Sequence, residues 1–208
     1  SLYCSGWNSA GQLGLGYVNF NPSYPPDVGN DQPKFVNLGE NNTAISVHLG
    51  EGHHACAILM NLELRCWGAN YWGQVGAGFR SNTSGTEGHS LPSPQVVDLG
   101  INRKAVAVAI AGQSTCAILD NGSVNCWGYN VNGELGRGFV SDYEVTPGLV
   151  NLGSGNTAKA ITAGLNFFCA ILHDNSLKCW GANNAYQLGS WNPVKQTSPV
   201  AVSFLNSL

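Results

Sequence analysis

Short apolar runs separated by clusters of glycine, asparagine, aspartate and serine recur along the whole chain, and no stretch sustains a helical spacing. Segments such as "AVAVAIAG" (105–112) and "AKAITAG" (158–164) combine small and β-branched residues and end on glycine, the pattern of a strand packed on both faces. A "CAIL" segment follows soon after, then a short turn and a return segment, "LRC", "VNC" or "LKC", which together predict a hairpin. Beyond a Trp-Gly pair, G-x-N-x-x-G-Q-L-G holds too many glycines for the interior of a strand or helix. It predicts a compact turn in which Asn and Gly take positive φ. A loop of variable sequence completes the unit, and the chain reads as essentially all-β.

The unit repeats. "CAILMNLELRCWG" from Cys56, "CAILDNGSVNCWG" from Cys116 and "CAILHDNSLKCWG" from Cys169 are three copies. A partial fourth, "CSGWNSAGQLG" from Cys4, aligns with "CWGANYWGQVG", "CWGYNVNGELG" and "CWGANNAYQLG". The second cysteines, at 4, 66, 126 and 179, lie 62, 60 and 53 residues apart, a period at which each unit forms a small antiparallel sheet. One repeat region, 1–208, divides approximately into 1–55, 56–115, 116–168 and 169–208.

The series G-x-x-x-x-C-A-I-L followed by C-W-G-x-N-x-x-G-Q-L-G resembles the repeats of the regulator of chromosome condensation family, over nearly the whole chain. That resemblance implies a β-propeller, in this family commonly seven-bladed. The departures are local: Ser5 stands where Trp is expected, Trp7 where a small residue is, and Tyr186 where Gly is. A histidine that such repeats often carry before "CAIL" is matched by His54, with Ser114 and Phe167 in the other copies. Both ends of the sequence fall inside a repeat. The expectation is therefore an arc of about four repeats from a larger ring, or edges completed by neighbouring copies or segments, with a closed four-bladed ring as the alternative.

Cysteine placement sharpens the hairpin. With Asp120-Asn121-Gly122 as a three-residue loop ending in a left-handed glycine, Leu119 and Ser123 close the ladder. Counting outwards sets Ile118 against Val124, Ala117 against Asn125, and Cys116 against Cys126 as a non-hydrogen-bonded pair. Such pairs have Cα atoms ~4.5 Å apart, at the short end of what a disulfide accepts. The same count opposes Cys169 to Cys179, with Asn175 left-handed, and Cys56 to Cys66, where Leu62 in that strained position leaves room for an irregular loop. A zinc site fits poorly, because successive hairpins of a propeller stand too far apart to share an ion. Buried thiols in a cytosolic propeller are the competing reading. Repetition of matched pairs favours disulfides and an oxidising compartment: extracellular or cell-surface, with nuclear or cytoplasmic as the alternative. Cys4 has its expected partner ten residues upstream and is unpaired in this chain.

Composition narrows the function. A net charge of −3 with 10% charged residues and no Lys/Arg cluster argues against nucleic acid. The longest apolar run, residues 105–111, is too short to span a membrane. No G-x-S-x-G, H-E-x-x-H or phosphate-loop pattern occurs, and the histidines, His48, His53, His54, His89 and His173, form no ligating pattern. The reading is a non-enzyme without a cofactor or metal. The repeated Trp67, Trp127 and Trp180 are expected to fill space between sheets.

The variable loops carry the candidate interaction surface: Tyr17, Phe20, Tyr24, Phe79, Arg80, Phe139, Tyr143 and Trp191. Their partner would be a protein or a glycan; the competing reading folds them back over sheet edges. Asn41, Asn82 and Asn121 head glycosylation sequons. Three roles follow as expectations: an extracellular structural or adhesive interaction module; an intracellular regulator of a small GTPase or chromatin, as the family resemblance implies; and a secreted inhibitor of an enzyme.

Overall fold

The computed structural model describes residues 1–18, 33–81 and 90–202, and among these every regular element is a strand. A two-stranded ribbon pairs β1 (Tyr3–Cys4) with β2 (Lys34–Phe35). Sheet I contains β3 (Ala44–Leu49), β4 (His54–Leu59), β5 (Leu64–Ala69) and β6 (Ser90–Val96). Sheet II contains β7 (Ala105–Ala111), β8 (Ser114–Leu119), β9 (Val124–Tyr129) and β10 (Tyr143–Leu149). Sheet III contains β11 (Ala158–Ala163), β12 (Phe167–Leu172), β13 (Leu177–Gly181) and β14 (Gln196–Ala201). Each sheet is an antiparallel meander in chain order, and neighbours meet through their first strands: β7 packs on β3 and β4, β11 on β7 and β8. The result is an open arc of a β-propeller. Prolines sit in the outermost strands (Pro92 and Pro94, Pro147, Pro199), where a missing N–H is tolerated and further pairing is discouraged.

The hairpins have the predicted register. Leu119 N–H donates to Ser123 O at 2.8 Å, Gly122 is left-handed at φ 77°, and Cys116 lies opposite Cys126. Cys169 opposes Cys179 with Asn175 at φ 69°. The Leu62 loop is not irregular: Leu59 N–H donates to Glu63 O at 2.9 Å and Leu62 itself takes φ 62°. Leu62 also packs against the core between sheets I and II, which offsets the left-handed strain with buried apolar contact. All three pairs are disulfides, with Cα separations of 4.0, 4.1 and 4.1 Å.

Alternation along β8 divides the core into seams. Cys116 and Ile118 face sheet III together with Leu135, Phe168 and Trp180, while Ala117 and Leu119 face sheet I with Val75, Leu99 and Trp127. The Cys56–Cys66 and Cys116–Cys126 disulfides therefore lie in seams, whereas Cys169–Cys179 lies on the face of sheet III turned away from sheet II.

Candidate interaction surface

The repeated tryptophans are completely buried in the seams, and each reaches backwards to the preceding repeat. Trp67 Nε1 donates to Gln12 O at 2.9 Å, Trp127 Nε1 to Gln74 O at 3.0 Å, and Trp180 Nε1 to Glu134 O at 2.8 Å. The indole gives a carbonyl of the preceding compact turn a hydrogen-bond donor, which Gln74 O shares with Thr115 Oγ1. Gly136 follows from this arrangement: it is left-handed at φ 63°, and a Cβ there would stand 2.8 Å from the Trp180 ring.

The Asn of G-x-N has a different role from the one expected. Asn8, Asn70, Asn130 and Asn183 are buried and absent from the left-handed residues; the glycines of the turn take that conformation, and in the fourth turn Tyr186 takes it at φ 60°. Each Oδ1 accepts from a backbone N–H five residues on, at Leu13, Val75, Leu135 and Leu188, over 3.1, 3.1, 3.0 and 2.9 Å. Each Nδ2 donates to a carbonyl nine residues on, at Tyr17, Phe79, Phe139 and Asn192, over 3.0, 2.9, 3.2 and 2.5 Å. A buried side chain thus ties the start of the loop to its far side. The only signal in the sequence was the recurrence of G-x-N at one distance from Leu or Val.

This clamp presents an aromatic at the same place in successive repeats. Tyr17, Phe79 and Phe139 have their carbonyls held and their rings 44%, 52% and 44% exposed; Trp191, one residue before the fourth clamped carbonyl, is 84% exposed. Arg80 and Tyr143 are placed elsewhere. They lie over the seam of sheets I and II, where the Arg80 guanidinium sits 4.6 Å from the Tyr143 ring centre, and Trp72 packs against Tyr71, Tyr129 and Tyr143 at 4.5, 5.1 and 6.3 Å. Phe20, Tyr24, Asn82 and His89 lie outside the described residues. Asn41 is exposed, and so is Asn121, whose Oδ1 accepts from Ser123 N and Oγ at 3.1 and 2.7 Å. Cys4 is half-buried opposite Lys34, unbonded among the described residues, and burial pushes its thiol up.

Two buried titratable groups were not anticipated. His54 opens β4 and crosses the seam to Thr115 Oγ1 at 2.8 Å, while that hydroxyl donates to Gln74 O at 2.9 Å. The hydroxyl proton is thereby committed, so Nε2 carries the proton and Nδ1 is bare and buried. Burial holds the imidazole at about 4, against an ordinary 6.5. Glu134 stands where the other repeats have Gln12, Gln74 and Gln187. Its carboxylate accepts from Asn132 N at 2.8 Å and Asn132 Nδ2 at 2.7 Å, and burial raises its pKa.

The repeat motif of the regulator of chromosome condensation matches residues 1–57, 105–134 and 158–187, together more than half of the chain. The chain belongs to the regulator of chromosome condensation repeat family. The ultraviolet-B receptor UVR8 of Arabidopsis thaliana is 28% identical over 204 residues, 97% of this chain and 42% of the receptor. The human X-linked retinitis pigmentosa GTPase regulator is 28% identical over 159 residues, 76% of this chain and 14% of that protein. Human WBSCR16 superimposes with a TM-score of 0.76 at 24% identity, covering 97% of this chain and 48% of that one. Yeast RCC1 (Prp20), solved bound to Kap60, superimposes with a TM-score of 0.75 at 17% identity, covering 96% and 44%. These superpositions establish the fold. The chain spans less than half the length of these relatives.

Proposed function

We propose that this propeller segment is a non-enzymatic protein-interaction module of the extracellular space or the cell surface, with the aromatic row as its contact face. The observation that carries the compartment is the set of three disulfides at equivalent places, each closing a ten-residue separation across a hairpin. The row supports the face, because exposed aromatics held at a fixed spacing by buried amides supply contact area at little entropic cost. Counting thiols in protein denatured without reductant tests the compartment: one free thiol, from Cys4, is expected, and seven would return the chain to the cytosol. A pull-down of surface proteins with the wild type and with Phe79→Ala, Phe139→Ala and Trp191→Ala combined tests the face. Loss of capture with an unchanged melting temperature is expected; retained capture removes the row from the reading.

A second reading has one observation in its favour, the 28% identity to a GTPase regulator. A role on a small GTPase or on chromatin would place the chain inside the cell. The net charge of −3 and the disulfides weigh against it.

A further inference from the structure

The seam of sheets II and III opens at its loop end into a cleft of about 340 Å³, lined by Asn132, Asn166, Ala182, Asn183, Asn184, Pro193 and Lys195. The equivalent space between sheets I and II is filled. Backbone pairing aligns the two seams: Ala182 N–H donates to Asn166 O as Tyr129 N–H donates to Gln113 O, so Ala182 is the counterpart of Tyr129 and Asn166 of Gln113. By the same alignment Asn132 stands for Trp72 and, from the register of β10 and β14, Lys195 for Tyr143. Three large rings have become an amide, a methyl and an ammonium, and the vacated volume faces solvent.

The groups left in the cleft define what it would hold. Asn132 Nδ2 is committed to Glu134, which leaves its Oδ1 as an acceptor, and the Asn166 side-chain amide makes no hydrogen bond among the described residues. Asn184 Oδ1 accepts from Gln187 at 3.3 Å, leaving its NH₂ as a donor. Lys195 Nζ donates to Val131 O at 2.9 Å across the seam, and its charge faces the buried Glu134 carboxylate. The set therefore offers paired donors and acceptors around a cation already balanced, with no surplus charge to select an ion. The loop that supplies Pro193 and Lys195 to the lining also carries Trp191, two residues before Pro193 and 84% exposed. Amides that both give and accept, in a space of monosaccharide size whose lining loop also carries an exposed aromatic, match a ligand with many hydroxyls and an apolar C–H face. We infer that the cleft between sheets II and III is a binding site for a neutral sugar residue.

The inference concerns the isolated chain and stands whether or not the compartment reading does. The probes are methyl glycosides of glucose, galactose, mannose and N-acetylglucosamine, with glucuronate and acetate as anionic controls, followed by tryptophan fluorescence and saturation-transfer NMR. Saturable millimolar binding of at least one neutral glycoside is expected. Trp191→Ala and Asn166→Ala, both at solvent-accessible side chains, should weaken it about tenfold or more, about 1.4 kcal/mol, with unchanged melting temperature. Ala182→Tyr, which restores the ring of the other seam, should abolish binding in a folded protein. No saturable binding by any neutral glycoside, preference for the anions, or binding untouched by all three variants would overturn the assignment.

Discussion

The two complete seams divide polar and aromatic groups in opposite ways. Between sheets I and II the interior carries a polar bridge, His54 to Thr115 to the Gln74 carbonyl, and the loop end carries the rings of Trp72, Tyr129 and Tyr143. Between sheets II and III, Phe168 occupies the position of Thr115 and stacks on Trp180 at 6.0 Å, Ser114 turns to Tyr129 O at 2.6 Å within its own sheet, and the loop end is the asparagine-lined cleft. The register, the disulfide and the tryptophan bond are common to both. The repeat thus fixes the frame by backbone pairing and leaves each seam to trade interior polarity against surface polarity.

The largest test of that contrast is tryptophan removal. Trp127→Ala and Trp180→Ala should each cost about 3–5 kcal/mol in urea unfolding, because each empties a fully buried site. The sharper comparison is Trp→Phe, which keeps most of the volume and deletes the N–H. Gln74 O keeps a second donor in Thr115, whereas Glu134 O has Trp180 alone among the described residues. Trp180→Phe should therefore be the costlier by about 1–2 kcal/mol, the penalty of a bare buried carbonyl. Equal losses would mean that the indole bonds contribute little and that the seams differ only in packing.

Acid separates the seams next. His54 binds its proton at about 4 in the folded chain and near 6.5 unfolded, so between those values the unfolded chain holds more protons. The stability conferred by burying neutral imidazole is complete above about pH 6.5 and is lost as pH falls towards 4, to a total of about 3 kcal/mol. His54→Gln should flatten that slope while keeping a donor for Thr115. A slope unchanged in this variant would assign the acid sensitivity to other groups.

Disulfide removal is expected to be smaller and indifferent to the seam. Cys56–Cys66 and Cys116–Cys126 both span ten residues, so chain entropy predicts ~2–3 kcal/mol for either double alanine variant. Unequal losses would show that the surroundings, Phe168 in one seam and Thr115 in the other, matter more than loop closure.

The parts of the molecule visible in its sequence are those set by local spacing. A three-residue loop fixed the opposition of Cys116 and Cys126, and recurrence of C-W-G marked Trp127 and Trp180 as filling between sheets. Polar contacts between repeats were not visible. His54 meets Thr115 from 61 residues away, and nothing near either residue announces the other. Asn70 and its equivalents were misread for a related reason: asparagine tolerates positive φ in turns, and that local preference lost to a buried clamp on the far side of the loop. The aromatic row was partly legible, with Phe79 and Phe139 in register, while Arg80 and Tyr143, adjacent in type, went to the seam.

Glu134 gives the smallest effect and the one with the opposite sign to His54. Its carboxyl is raised by burial, so the folded chain holds the proton more tightly than the unfolded chain. Its contribution to stability is fully present below the ordinary carboxylate range and is lost as pH rises through the raised value. Glu134→Gln restores the residue of the other turns, where Gln74 Oε1 accepts from Trp72 N at 2.9 Å and Gln12 Oε1 from Ala10 N at 2.9 Å. Asn132 can then turn its amide so that Oδ1 faces the new NH₂, keeping the pair satisfied. The variant should match the wild type in acid and exceed it in melting temperature at neutral pH, while acetate and sugar probes compare the cleft with and without the buried charge. If the variant is instead less stable at neutral pH, the carboxylate bonds to Asn132 outweigh the cost of burial, and the loop end of this seam is held by its charge.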